Sequence, residues 1–228
     1  MRTAAILPVK SFARAKQRLG ASVADPLRQQ LARAMVADVI SALEATGAIE
    51  RTIVVTREPL IAEAAIGAGG LLVEDVAEEG QSAAAGLGIA RAIERGFERI
   101  LCVPGDCPAA DPAELTAMLE RQARDGTQVV IVPDRHGSGT NGLLLAPPQA
   151  IAPSFGPDSC ERHRGLAGAA RLSWRIERLP SLLLDIDTGA DLAVLRERLA
   201  GQGPRAHSTR ALLAGPGFTG ALLTSTLA

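Results

Sequence analysis

Short apolar runs alternate along the chain with longer segments in which apolar residues recur about every 3.6 positions. Short runs bounded by turn residues are typical of buried strands, and the longer spacing is typical of helices that cover a sheet. The pattern predicts strands over 3–7, 52–56, 71–73, 99–103, 128–132 and 142–145, and extended stretches over 176–179 and 182–184. It predicts helices over 26–44, 59–66, 82–94, 111–124, 158–170 and 191–199, with Asp25, Asp111 and Ser159 as helix N-caps.

Strands that alternate with helices predict an α/β sandwich with a mostly parallel sheet. Neither an internal repeat nor a linker is visible, so residues 1–200 are expected to form one domain. Residues 201–228 are rich in Gly, Ser, Thr and Ala and are expected to form a tail. This tail would be partly loose, or would pack on the body or on a partner subunit.

Composition excludes several classes of protein. A net charge of −1 argues against a nucleic-acid binder held by phosphate contacts. Three cysteines form neither a zinc spacing nor a disulfide framework, which fits a reducing compartment. No apolar run approaches the length of a membrane span or of a signal core. We therefore expect a soluble cytoplasmic protein that binds neither membranes nor nucleic acid.

Three aspartates follow apolar runs. Asp185 and Asp187 are two apart, and side chains at i and i+2 of a strand share a face. Asp106 follows the apolar run 100–103. Ligands of such sheets bind beyond the carboxyl ends of the strands, and clustered carboxylates suit a hard cation such as Mg²⁺. Each aspartate could instead be an ordinary turn or cap residue, but together they predict a metal site for phosphate chemistry.

Several polar segments could contact anions. The basic segment 10–18, which includes Lys10, Arg14, Lys16 and Arg18, could line a polyphosphate or form a solvated turn. Gly80-Gln81-Ser82 at a helix start could approach a base or a phosphate, although the sequence by itself favours an ordinary capped helix. The loop 136–141 and the helix start at 155–159 allow the same two interpretations, anion site or plain connection.

Taken in order, these segments resemble one family, the phospholactate/phosphoenolpyruvate guanylyltransferases of deazaflavin coenzyme biosynthesis. The resemblance extends over nearly the whole chain to about residue 200. It rests on Leu7-Pro8-Val9-Lys10 with Ala15-Lys16-Gln17-Arg18-Leu19, Gly80-Gln81-Ser82-Ala83-Ala84, Pro104-Gly105-Asp106-Cys107-Pro108, Gly139-Thr140-Asn141-Gly142-Leu143, Phe155-Gly156 with Ser159 and His163, and Asp185-Ile186-Asp187-Thr188. The wider group resembles the molybdenum-cofactor guanylyltransferases, whose first loop is glycine-rich. Here that loop has no glycine before Gly20, which fits the narrower family.

The resemblance implies a fold and a set of roles. The fold would be a Rossmann-like three-layer sandwich of the nucleotide-diphospho-sugar transferase type. Asp106, Asp185 and Asp187 would hold Mg²⁺, and Lys16 and Asp106 would be catalytic. The nucleotide GTP would contact Lys10, Lys16, Arg18, Gly80, Gln81, Ser82 and Asp106, and the acceptor would contact Thr140, Gly156 and Ser159. Gln81-Ser82 replaces the commoner Leu-Asn of the family, which leaves the contacts to the base open.

The implied reaction joins GMP from GTP to a small phosphorylated acid and releases pyrophosphate. Phosphoenolpyruvate is favoured, and 2-phospholactate and 3-phosphoglycerate are alternatives. The product would pass to the next transferase of the pathway, and a homodimer is possible. Rival interpretations are a molybdenum-cofactor-type nucleotidyltransferase, a glycosyltransferase with an Asp-x-Asp site, and a nucleotide-sensing binding protein without turnover.

Overall fold

The computed structural model describes residues 1–12, 19, 23–201, 205–216 and 218. Seven strands form one sheet in the order β3-β2-β1-β4-β6-β5-β7. Their bounds are β1 Thr3–Val9, β2 Arg51–Thr56, β3 Leu71–Val73, β4 Arg99–Cys102, β5 Val129–Pro133, β6 Thr140–Leu145 and β7 Trp174–Ile176. Pairing is parallel except where β6 lies antiparallel between β4 and β5. The predicted mostly parallel sheet is confirmed.

Helices cover both faces of this sheet. They are α1 Asp25–Glu44, α2 Pro59–Gly67, α3 Gln81–Glu94, α4 Pro112–Asp125, α5 Ser159–Ala169, α6 Gly189–Gly201 and α7 His207–Leu213. Alternate residues of β1 belong to different cores: Ala5 and Leu7 pack with residues of α1, α2 and α4, whereas Ala4 and Ile6 pack with residues of α3 and α5. Every residue of β1 is buried, which explains why its sequence is a continuous apolar run rather than an alternating one. The predicted three-layer sandwich is thus confirmed.

One face allows an especially close approach. A side chain at Gly88 of α3 would overlap the Ile6 side chain and lie 3.1 Å from Val55 Cγ2. Glycine at this position therefore lets α3 lie directly against β1 and β2. This contact sets where the start of α3 lies relative to the end of β1.

The extended stretches predicted over 176–179 and 182–184 are wrong in position. The last strand is Trp174–Ile176, and residues 177–188 form neither helix nor strand. The segment from Leu182 to Ile186 is held by a loop and a side chain instead of a neighbouring strand. Ile186 N donates to Asp106 O at 3.1 Å, and Leu182 O accepts from Asn141 Nδ2 at 2.8 Å.

Two of the three predicted N-caps are also wrong. Asp111 caps α4, and its side chain accepts a hydrogen bond from Ala113 N at 2.9 Å. Ala24 is the N-cap of α1, and Asp25 is its first residue and pairs with Arg28 at 2.5 Å. Asp158 is the N-cap of α5 in a left-handed conformation (φ 55°), and Ser159 is the first helical residue. A short polar residue tolerates that conformation, so the helix begins one residue earlier than a serine cap would allow.

Part of the predicted tail packs against the body. Asp38 of α1 accepts hydrogen bonds from Ser208 N and Thr209 N, both at 2.8 Å, and so satisfies the first amides of α7. The division into a domain of 1–200 and a tail of 201–228 stays a prediction. Among the described residues, no helix combines the length and the apolar character that crossing a bilayer requires.

Candidate active site

Three aspartates from two distant segments converge beyond the end of β4. Asp106 lies in the loop that follows β4, and Asp185 and Asp187 lie before α6. One carboxylate oxygen from each lies within 4.8 Å of the others, and all three side chains are half-buried. Leu184 and Ile186 are fully buried, so the alternation of an extended backbone turns both aspartates to the open side. The prediction that the three aspartates lie close together is confirmed, although Asp185 and Asp187 do not lie in a strand.

The cluster is electrostatically unfavourable by itself. The pKa of Asp185 is raised, first by burial and then by the nearby charge of Asp106, and Asp187 adds to the effect. The hydrogen bond from Asn141 acts in the opposite direction. Hard oxygen donors at this separation suit a divalent cation, which would relieve the repulsion. These three residues therefore fit Mg²⁺ or Mn²⁺.

Asn141, at the start of β6, supports the cluster. Its amide Nδ2 donates to Asp185 Oδ1 at 3.1 Å and to Leu182 O at 2.8 Å. The side chain is buried, so both bonds are shielded from water. Asn141 belongs to a motif that carries the family resemblance, but the sequence alone indicates no role for it, because nothing local connects positions 141 and 185.

Asp191 holds the other side of the cluster. Its Oδ2 accepts hydrogen bonds from Asp187 N at 3.1 Å, from Thr188 N at 2.7 Å and from Thr188 Oγ1 at 2.8 Å. Asp191 N donates in return to Thr188 Oγ1 at 3.3 Å, which completes a capping box at the start of α6. Asp191 Oδ1 also pairs with Arg135 at 2.5 Å. Sequence reasoning missed Asp191, although the spacing Thr188-x-x-Asp191 is a signal for this motif.

The cluster lies on one wall of a cleft of about 730 Å³. The cleft opens at the carboxyl ends of β1 and β4, beside the β5–β6 connection. Its lining includes the candidate residues Lys10, Gln81, Asp106, Thr140, Gly156, Ser159, Asp185 and Asp187. Gly80 and Ser82 are not among the lining residues. Instead, Ser82 Oγ accepts a hydrogen bond from Phe155 N at 2.8 Å and ties the start of α3 to the loop before α5.

The charge of this cleft is mostly negative. Within the described part of the chain, Asp75 and Asp134 also line it, and Lys10 is the one cation that does. A bound polyphosphate would therefore need further positive charge, from a metal or from the basic segment. The main chain just after Lys10 is anchored, because Ser11 N donates to Glu78 at 3.3 Å and Phe12 N donates to Glu58 at 2.5 Å. Lys16, Arg18 and Arg14 lie outside the described residues.

The loop 154–158 forms a second wall, and Phe155, Gly156 and Pro157 are among the lining residues. Arg162 of α5 clamps it: Nε donates to Ser154 Oγ at 2.9 Å, and Nη2 donates to Ser154 O at 2.9 Å and to Phe155 O at 3.0 Å. Gly156 has φ 109°, a conformation that side chains rarely adopt. Cys160 N donates to Ser138 O at 3.0 Å, which links the first turn of α5 to the β5–β6 connection. This wall thus holds a helix start and a glycine in fixed positions in the same cleft as the acids.

Comparisons with known proteins agree with this geometry. The family model described as "Guanylyl transferase CofC like" matches residues 3–209. A phosphoenolpyruvate guanylyltransferase from Conexibacter woesei is 47% identical over 213 residues, which cover 93% of this chain and 96% of that protein.

Solved structures resemble this chain in fold. One, from Desulfovibrio desulfuricans G20, is assigned as a nucleotide-diphospho-sugar transferase; it is 19% identical, has a TM-score of 0.75 and matches 93% of this chain and 94% of its own. Another is a manganese complex of Rv0371c from Mycobacterium tuberculosis H37Rv; it is 19% identical, has a TM-score of 0.54 and matches 86% of this chain and 99% of its own. With the family model spanning most of its length, this chain belongs to the CofC-like guanylyltransferase family.

Proposed function

We propose that this protein transfers GMP from GTP to a small phosphorylated carboxylic acid and releases pyrophosphate, as a step of deazaflavin coenzyme biosynthesis. The observation that carries the proposal is the convergence of Asp106, Asp185 and Asp187 on one wall of the cleft. Family membership supports guanylyl transfer, and the relative from Conexibacter woesei is named for phosphoenolpyruvate. Phosphoenolpyruvate is accordingly the favoured acceptor.

We assign Mg²⁺ to the three aspartates. Carboxylate oxygens are the ligands that this ion prefers, and Rv0371c, which has a related fold, has been solved in complex with manganese. When bound, the ion would neutralise charge on phosphate oxygens and so reduce the repulsion between two anionic substrates. Without it, the acids of the cleft would repel a triphosphate.

The two walls of the cleft suit two different anions. Lys10 and Gln81 lie on the side of β1 and α3, where we assign GTP, with Lys16 and Arg18 as further phosphate contacts. Thr140, Gly156 and Ser159 lie beside the start of α5, where we assign the acceptor. The first turn of a helix presents amide groups and a partial positive charge, which favour a carboxylate or phosphate. Since Ser82 contacts the loop before α5, we assign it to the framework rather than to the base.

The chemistry requires positioning more than proton transfer. A phosphate oxygen of the acceptor is already ionised near neutral pH, so it can attack without a general base. It would form a bond to the α-phosphorus of GTP as the bond to the β-phosphate oxygen breaks, and pyrophosphate leaves with that oxygen. The residues of the two walls hold both substrates in line and exclude water from the α-phosphorus. Lys16 would offset charge on the phosphates.

The test is a turnover assay with GTP, Mg²⁺ and each of phosphoenolpyruvate, 2-phospholactate and 3-phosphoglycerate. Pyrophosphate and a guanylylated acid of the corresponding mass are expected with at least one acid. These acids differ by groups worth only about 1–3 kcal/mol in an apolar pocket, so all three belong in the assay. Nucleotide binding without turnover would support the binding-protein rival, and sugar transfer from a nucleotide sugar would support the glycosyltransferase.

Matched variants test the metal assignment. Asp106→Asn and Asp185→Asn are expected to remove most turnover, by roughly a hundredfold or more, since ion-dependent charge stabilisation is lost. Asp134→Asn is the control, because Asp134 lines the same cleft outside the cluster. Near-normal turnover by Asp106→Asn or Asp185→Asn would contradict the assignment.

A further inference from the structure

His163 is a buried histidine that none of the assigned roles uses. It lies on α5, is fully buried, and packs edge-on against Phe155 with ring centroids 5.2 Å apart. Its two ring nitrogens contact two different segments. Nε2 faces Ser154 in the acceptor wall, and Nδ1 faces Thr140 at the start of β6.

The contact with Ser154 fixes the tautomer of the ring. Ser154 N, a backbone amide that can only donate, lies 2.8 Å from His163 Nε2. Nε2 must therefore offer its lone pair, and in a neutral imidazole the hydrogen then resides on Nδ1. Burial, with the nearby charge of Arg162, lowers the pKa of His163 to about 4, so the ring is neutral near physiological pH.

The tautomer in turn determines the direction of the Thr140 hydroxyl. Thr140 Oγ1 lies 3.1 Å from His163 Nδ1 and accepts the Nδ1 hydrogen. Among the residues that the structure describes, His163 is the hydrogen-bond partner of this hydroxyl. Because Thr140 lines the cleft and its oxygen accepts from His163, its own hydrogen is available for donation to a molecule bound there.

We propose that His163 is a positioning residue that makes the Thr140 hydroxyl an obligatory donor to the anionic acceptor. The opposite tautomer would draw the Thr140 hydrogen to Nδ1 and present oxygen lone pairs to an anion, which would repel it. A neutral histidine fixes this orientation of the hydroxyl without placing a buried charge on α5. This inference rests on the proposed function, since it requires that Thr140 contact the phosphorylated acid.

Two substitutions separate the two ring contacts. In His163→Gln, the amide oxygen can accept from Ser154 N, but the donor to Thr140 is lost. In His163→Asn, the shorter amide can donate to Thr140, but the acceptor for Ser154 is lost. Thr140→Val removes the hydroxyl at nearly constant volume, and Thr140→Val combined with His163→Gln tests whether the two residues act as one unit.

Steady-state kinetics and thermal melts should rank the two histidine variants in opposite orders, by acceptor affinity and by stability. His163→Gln is expected to raise the acceptor KM by roughly ten- to a hundredfold, the range for a hydrogen bond to a charged group, with kcat and the GTP KM little changed. His163→Asn should have an acceptor KM closer to wild type but a lower thermal midpoint than His163→Gln. In the Thr140→Val background, His163→Gln should raise the acceptor KM no further.

The wild-type protein provides a second test that needs no variant to fold. ¹⁵N NMR of the histidine rings, of which the chain has three, should show one ring protonated on Nδ1 alone from pH 6 to 8. A His163 ring protonated on Nε2, or on both nitrogens, would overturn the inference. So would an acceptor KM of His163→Gln within twofold of wild type while Thr140→Val raises it.

Failure of the proposed function would look different. Wild-type protein that releases no pyrophosphate with any of the three acids would refute guanylyl transfer, whatever the NMR result. Normal wild-type turnover with no change of acceptor KM in Thr140→Val would leave guanylyl transfer intact and overturn the inference alone.

Discussion

Asp191 should control metal binding although it does not belong to the cluster of acids. Asp191→Ala removes three hydrogen bonds to Asp187 and Thr188 and the ion pair with Arg135. At about 1 kcal/mol for each neutral hydrogen bond, and with a buried capping aspartate lost, we expect the free energy of unfolding to fall by about 2–4 kcal/mol. Because Asp187 loses the bond that fixes its main chain, we expect cation affinity to fall by about 10–100-fold.

The assay measures both effects on the same variants. Urea unfolding in EDTA gives the free energy of unfolding, and a Mn²⁺ titration followed by electron paramagnetic resonance gives the dissociation constant. Asp191→Asn retains one carbonyl acceptor and should lie between wild type and Asp191→Ala. The matched control is Asp111→Ala, which removes the N-cap of α4 and an ion pair with Arg205 and should lower stability by about 1 kcal/mol without changing Mn²⁺ affinity. A Mn²⁺ dissociation constant for Asp191→Ala within twofold of wild type would refute the reasoning.

Further predictions concern charge, support, protonation and packing. Asp185→Asn should raise the free energy of unfolding in EDTA, because the raised pKa of Asp185 means that its ionised form destabilises the fold. The same variant should lose the stabilisation that Mg²⁺ gives to the wild type. Unchanged Mg²⁺ stabilisation in thermal melts would contradict this. Asn141→Leu removes the amide that supports Asp185 but keeps all three carboxylates, and it should weaken Mn²⁺ binding in the same titration. Equal affinity would show that the amide is dispensable. The pKa of His163 falls from 6.5 to about 4 on folding, so between these pH values the unfolded chain binds a proton that the folded chain does not. The free energy of unfolding should therefore fall by about 3 kcal/mol as pH drops through that window. Urea unfolding of wild type and His163→Asn checks this, and the same dependence of unfolding free energy on pH in both proteins would refute it. Gly88→Val should cost about 1–3 kcal/mol or more because the new side chain overlaps Ile6, and an unchanged urea midpoint would show that α3 can move.

The central strands of the sheet were predicted well because they are buried on both faces. A continuous apolar run such as 3–7 has no competing solvent-exposed alternative, and the helix signals between such runs left few topologies to consider. The last part of the sheet was misplaced because 182–184 is equally apolar but packs under a loop. Leu182 O bonds to Asn141 and Ile186 N bonds to Asp106, and no local pattern indicates partners so distant in sequence.

The predictable part of the candidate site consists of residues that lie close together in the sequence or directly after a strand. The spacing of Asp185 and Asp187 was sufficient to predict a shared direction, and a strand end placed Asp106 at the same edge. Side chains that only support others, such as Asn141 and Asp191, carry no such signal except the capping-box spacing at Asp191. The roles of Lys10, Thr140, Gly156 and Ser159 stay predictions, because position in a cleft does not identify a substrate.

The central claim is that three carboxylates hold a divalent cation beside the nucleotide. The most direct test is anomalous X-ray diffraction from crystals grown with Mn²⁺ and GTP. We predict an anomalous peak in coordination contact with Asp106 and with at least one of Asp185 and Asp187, adjacent to the GTP phosphates. A well-ordered triphosphate with no anomalous peak at these carboxylates, or with the peak elsewhere, would contradict the account.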